Sequence, residues 1–219
     1  MLRVLAGDLG DVGPDALADL VRSVQADVVV LRGGPRRLRW RTRTADLANR
    51  CGLVYAGGGE PALGNVILVG LRVGVRESLC VQFPLVPGRL MYGAVLVCAR
   101  IAGTDVVLAG TRLSPHADER SGQATAVARV LAETTGTTGA PVVVAADVAD
   151  ARTSSAWRIL ADGRVEADPS AEEPTDAIFV DPSVIVSGAR RVPARRGLPT
   201  AVVDLELRGP QAGGETSQE

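Results

Sequence analysis

Short continuous apolar runs and amphipathic stretches alternate along this chain. Leu2–Ala6 is a strand-like run that closes at Gly7-Asp8. The period then changes. Leu17, Leu20, Val21 and Val24 recur at i, i+3, i+4 and i+7, which predicts a helix over Pro14–Gln25 with Pro14 in its first turn. Asp27–Leu31 is a second buried strand, so the chain opens strand–helix–strand. Thr44–Cys51 follows as a short helix, with Thr44 placed to cap its start and Gly52 its end. Strands are then expected over Leu53–Ala56, Asn65–Val69, Val73–Phe83 and Tyr92–Ile101, separated by Gly57-Gly58-Gly59, Gly70 and Pro84–Gly88. Thr104–Thr111 is joined to its predecessor by Ala102-Gly103, the signature of a hairpin. The triple glycine lacks the lysine and the strand–helix setting of a phosphate loop and reads as a turn.

A second amphipathic helix is predicted over Asp118–Thr135, with Ala124, Val127, Ala128 and Leu131 as its stripe and Gly136 closing it. Pro141–Asp150 then carries three valines and two alanines into Asp147. A carboxylate at the C-terminal end of a buried strand stands where α/β sheets present functional groups, although turns and helix caps use the same residue. A short helix around Ala156–Leu160 follows, with Ser154-Ser155 supplying its cap. Asp168–Thr175 is a polar loop, and Asp176–Val180, Ser183–Arg191 and Thr200–Leu207 are late strands. Residues 1–208 read as one domain and 209–219 as a disordered tail. Two strand-rich halves, each with its own helix and mostly antiparallel connections, predict an α+β architecture. This is a two-sheet β-sandwich flanked by helices rather than a doubly wound parallel sheet.

Composition narrows the picture. The chain is 46% hydrophobic but only 3% aromatic, so its core is built from Val, Leu, Ala and Ile. Its positive charge is all arginine, which together with 25 glycines points to a GC-rich coding background. A net charge of −1 gives no bulk electrostatic footprint for nucleic acid or an anionic membrane. No signal peptide and no membrane span is expected. Cys51, Cys80 and Cys98 have no metal-binding spacing and read as reduced thiols, which places the protein in the cytoplasm. Gly33–Arg43 is locally basic, with five arginines around Trp40. Arginines beside an aromatic can grip a nucleic acid, but the near-neutral total charge favours a solvated loop anchored by the Trp.

The order of Leu2–Leu9, Ala26–Gly33, Gly64–Leu68, Val106–His116, Glu119–Leu131, Pro141–Asp150, Ala156–Leu160, Pro174–Asp181 and Arg195–Leu207 resembles the endonuclease/exonuclease/phosphatase superfamily. The stretch from Pro35 to Gly59 looks like its actinobacterial members. The resemblance implies a four-layer αββα sandwich that hydrolyses phosphate esters with a divalent metal, usually magnesium. Carboxylates would hold the ion, a histidine would help generate the nucleophilic water, and asparagines would hold the phosphate.

Carried over onto this sequence, that apparatus is only partly kept. Asp8 stands where a metal-holding Asn is usual. Gly33 stands at the position of the principal metal-binding Glu, and Arg112 at that of a catalytic His. Asp147 is kept, while Ala149 replaces a phosphate-holding Asn. Asp176 and Asn65 match family positions. Arg196 and Gly197 fall where an Asp-His pair is expected. The lone histidine, His116, matches none of these and reads as a loop residue. The remnant metal ligands are thus Asp8 and Asp147, and Arg112 would point toward Asp147 and Asp176 in the metal's place. Arg112 and Arg32 become candidates for holding an anion. The expectation is a degenerate, catalytically inactive member acting as a binding or scaffold protein without a cofactor, its partner an unidentified protein or a small anionic ligand rather than nucleic acid or membrane. The alternatives are an active magnesium- or manganese-dependent phosphodiesterase or phosphatase with a rearranged site, and an anion- or nucleotide-sensing module.

Overall fold

The computed structural model describes residues 1–168, 176–193 and 200–207. β1 (Leu2–Asp8) runs into a four-residue helix, α1 (Leu9–Val12), and then into α2 (Pro14–Val24). β2 (Val28–Arg32), α3 (Trp40–Cys51), β3 (Val54–Gly58) and β4 (Val66–Val69) complete the first half. The second half contains β5 (Val73–Gln82), β6 (Gly93–Ile101), β7 (Thr104–Arg112), α4 (Ala117–Thr138), β8 (Val142–Asp147) and α5 (Ser155–Ala161). β9 (Val165–Glu166) and β10 (Asp176–Val180) follow in the same sheet. β11 (Ile185–Val192) and β12 (Thr200–Glu206) return to the first one.

The first sheet has the order β11-β12-β1-β2-β4-β3 and the second β5-β6-β7-β8-β10-β9. Each has one parallel pair, β1 with β2 and β7 with β8, and in each pair a helix makes the crossover. Alternation of inward and outward apolar residues builds three cores. Val4, Val30, Ile67, Val97, Leu108, Val143 and Ile178 fill the space between the sheets. Leu5, Leu17, Val29 and Leu47 bury α2 and α3 against the first sheet, and Leu96, Leu131, Trp157 and Phe179 bury α4 and α5 against the second. The layers are therefore helix, sheet, sheet, helix. With so few aromatics the sheets approach closely; a Cβ on Gly110 of β7 would lie 2.5 Å from Val30 Cγ1 of β2. Among the described residues no helix is long and apolar enough to cross a membrane.

Three local expectations are corrected, and one short helix, α1, was not anticipated. α3 begins at Trp40, not Thr44, and Thr44 is buried inside it. The start is set by tertiary packing, because the Trp40 ring lies against Gly59, where no side chain would fit. α4 runs past Gly136 to Thr138 and ends at Gly139, whose φ of 61° is left-handed. Thr134, Thr137 and Thr138 bond their hydroxyls back to carbonyls of the last turns. Gly57 and Gly58 belong to β3, leaving only Gly59 of the three to turn. α1 has no apolar period to announce it and is fixed by Asp8, whose Oδ1 accepts from Gly10 N at 2.7 Å. Ser154 caps α5 as expected, accepting from Trp157 N. The tail beyond residue 207 lies outside the described residues.

Candidate functional site

Both crossover units deliver the C-terminal ends of their strands to one end of the sandwich. Backbone register then fixes which charges meet. Asp8 is level with Arg32 across β1 and β2, Arg112 with Asp147 across β7 and β8, and Asp147 with Asp176 across β8 and β10. The floor of the cleft is thus a row of aspartates and arginines at the ends of apolar strands.

Arg112 bridges the two sheets. Its Nε donates to Asp147 Oδ2 at 2.9 Å, and its Nη2 lies 2.7 Å from Asp8 Oδ2. The second contact is a charge contact without hydrogen-bond alignment, so Asp8 Oδ2 is buried with no hydrogen-bond donor among the described residues. Burial acts to lower the Arg112 pKa, but Asp8 and Asp147 outweigh it and hold the guanidinium more firmly charged than in water. Arg112 does not reach Asp176 as expected. Asp176, only 2% exposed, is held by two other arginines: Arg32 Nη2 at 3.1 Å and Arg191 Nη1 at 2.8 Å. Arg191 also donates from Nε to Asp168 Oδ2 at 2.9 Å. Arg32, proposed from sequence as an anion holder, is 3% exposed and turned into this pairing. Buried charges cost several kcal/mol each unless paired, so each carboxylate here depends on its arginine.

The remaining predicted positions are placed as follows. Gly33 has φ +66°, and a Cβ there would lie 2.7 Å from Asp8 Oδ1, so no carboxylate can stand at this position while Asp8 caps α1. Ala149 sits at φ 53°, a left-handed conformation that asparagine tolerates better than alanine. Asn65 is buried and donates through Nδ2 to the carbonyls of Ala62 and Gly93, at 2.8 and 2.9 Å. Its amide ties the start of β4 to β6, and its Oδ1 has no partner among the described residues. His116 is exposed at the start of α4, and its backbone N–H donates to Ser114 Oγ. Arg196 and Gly197 lie outside the described residues.

Beside Arg112 opens a cavity of about 220 Å³, lined by Gly33, Gly34, Arg36, Leu63, Asn65, Leu90, Tyr92 and Arg112. Arg112 Nη1 makes no hydrogen bond to a described residue and is the donor left for this space. Arg191, Arg36 and Tyr92 were not foreseen. Arg191 meets Asp176 only because β11 returns to the first sheet while β10 lies in the second, a juxtaposition without a local sequence signal.

The donor set does not fit a divalent ion. Magnesium and manganese want several free carboxylate or carbonyl oxygens in a compact shell. Here Asp8 and Asp147 share one guanidinium, Asp176 is held by two more, and Gly33 offers no ligand. Among the described residues no three His, Cys, Asp or Glu side chains group to hold a metal.

No protein-family model and no curated protein matches the sequence. Solved structures do match by shape. The mannosyl-6-phosphatase Bt3783 of Bacteroides thetaiotaomicron is 12% identical with a TM-score of 0.82, covering 94% of this chain and 100% of that one. The human Nocturnin catalytic domain with bound sulfate is 14% identical at 0.78, covering 94% of each chain. TDP2 of D. rerio complexed with single strand DNA product is 13% identical at 0.70, covering 94% of this chain and 98% of that one. At these identities the likeness establishes the fold.

Proposed function

We propose, from a fold that this chain shares with endonuclease/exonuclease/phosphatase proteins, that it is a non-catalytic version of that fold whose cleft serves binding rather than hydrolysis. The observation that carries this reading is the Arg112 guanidinium, 2.7 Å from Asp8 and 2.9 Å from Asp147. It supplies the positive charge between the sheets that the resemblance assigns to a metal, but a guanidinium brings no bound water to ionise. Gly33 and Arg112 both stand against Asp8, and Ala149 follows Asp147 by two residues. Losses of general acid–base groups cost about 10²–10⁴-fold individually, and several together leave little rate above background.

A second reading rests on the cavity beside Arg112. Its free Nη1, with Arg36 on the same rim, suits a small anion such as a carboxylate or phosphate, and no metal is needed to hold one. The cysteines suit a reducing compartment. Cys51, Cys80 and Cys98 are free, and burial pushes the Cys51 thiol up to about 11, which keeps it protonated and inert.

The test is hydrolysis of a generic phosphodiester and a phosphomonoester with magnesium or manganese. No metal-dependent turnover is expected. Turnover abolished by Asp147→Asn overturns the proposal in favour of a rearranged active site. A thermal shift with inorganic phosphate that needs no metal and is lost in Arg112→Gln supports the anion-binding reading.

A further inference from the structure

Fourteen described arginines lie opposite a carboxylate, and Arg158 and Arg164 bond to carbonyls; the run Arg36–Arg43 is the exception. Arg36, Arg37, Arg39, Arg41 and Arg43 are all exposed, and none of their guanidinium groups makes an ion pair or hydrogen bond with a described residue. The net charge of −1 hides this segregation. The local backbone compounds it. Arg39, which immediately precedes α3, has φ 62°; no side chain caps the helix amides, and the first turn holds no acidic residue. Cations are crowded onto the positive end of a helix dipole, where they are unfavourable without an external anion.

We propose that this ridge docks the protein on an anionic membrane surface. Two observations favour a lipid headgroup layer over a nucleic acid. Leu38, in the middle of the arginine run, is 86% exposed, and Leu90, 64% exposed, shares the cavity rim with Arg36. Apolar tips among cations suit an interface where arginines meet phosphates and aliphatic chains enter the layer below. Exposure of a leucine is not enough by itself: Leu71 is 89% exposed, but its neighbour Arg72 is paired to Asp27. The aromatic of the run is also committed. The Trp40 ring packs against Gly59 and is stacked by the Arg41 guanidinium, 4.6 Å from its centroid, so it does not stand free as a platform for a base. This inference stands whether or not the cleft hydrolyses anything.

The experiment is co-sedimentation of the full chain with vesicles of phosphatidylcholine alone or mixed with phosphatidylserine. Binding is expected to the anionic vesicles only, weakening as salt rises. Arg36→Gln/Arg37→Gln/Arg39→Gln should weaken it about 100-fold. Leu38→Ser should weaken it about tenfold at unchanged charge, while Leu71→Ser leaves it intact. All substituted side chains are exposed, and unchanged melting temperatures verify the fold. Absence of binding to anionic vesicles, or binding indifferent to the triple substitution, overturns the proposal. So does binding that Leu38→Ser does not touch, together with tighter binding of a single-stranded oligonucleotide.

Discussion

The two ends of the sandwich both carry arginine–aspartate clusters, and they are finished differently. At the far end Arg3 binds Asp204 through Nε and Nη2 and the Val24 carbonyl through Nη1. Asp27 accepts from the Arg3 backbone and from Arg72. Among the described residues, no buried side-chain polar atom of this cluster lacks a partner. At the cleft end Asp8 Oδ2, Arg32 Nε, Asn65 Oδ1 and Thr200 Oγ1 are buried without one among the described residues. A larger cavity of about 460 Å³ opens at the far end, but the one charged side chain that lines it, Arg72, is already paired with Asp27. Completed pairing is what a structural cluster looks like, and incomplete pairing marks residues placed for something besides each other. Cavity size alone points to the opposite end from the incomplete pairing.

The contrast can be broken by removing one arginine from each cluster. Arg32→Ala leaves Asp176 buried on Arg191 alone and should cost about 3 kcal/mol in urea unfolding. Arg72→Ala, at an exposed guanidinium, should cost under about 1 kcal/mol. Equal losses would erase the distinction between the ends. Arg112→Ala comes next. Its side chain is 40% exposed, so solvent screens the loss, and about 1–2 kcal/mol is expected. Asp147→Asn in the same background should recover part of it by removing one carboxylate from the unneutralised pair; no recovery would show that Arg112 acts through packing alone.

Backbone strain offers a smaller test. Ala149 at the cleft and Ala102 in the far-end hairpin are both left-handed, with φ of 53° and 49°. Glycine at either should stabilise by roughly 0.5–1 kcal/mol. The smallest effect is a pH dependence. A hydrogen bond from Arg3 holds the Asp204 carboxyl below the usual carboxylate range. Its contribution is therefore complete above the unfolded value of about 4 and is lost as pH falls through the folded one. Relative to Asp204→Asn, the parent protein should lose about 0.5 kcal/mol between neutral and acid pH. Parallel acid titrations of the two would contradict this.

The sandwich was legible because buried strands such as Val142–Asp147 read as unbroken apolar runs and α2 as a clean 3.6-residue stripe. The position of Asp147 followed from the end of such a run. What stayed hidden is tertiary. Arg112 meets Asp8 across 104 positions of sequence, because two crossovers aim at one cleft. Arg191 takes the place at Asp176 that sequence reasoning gave to Arg112, since no local pattern tells which strand end lies opposite. The early start of α3 depends on a glycine nineteen residues away, Gly59, against which Trp40 packs.

The central claim is that Arg112 stands between Asp8 and Asp147 where a divalent ion would need to bind. Calorimetric titration of manganese into the parent protein, Arg112→Ala and Asp147→Asn tests it most directly. The account predicts no uptake by the parent protein. Stoichiometric binding by the parent protein that Asp147→Asn abolishes would contradict it.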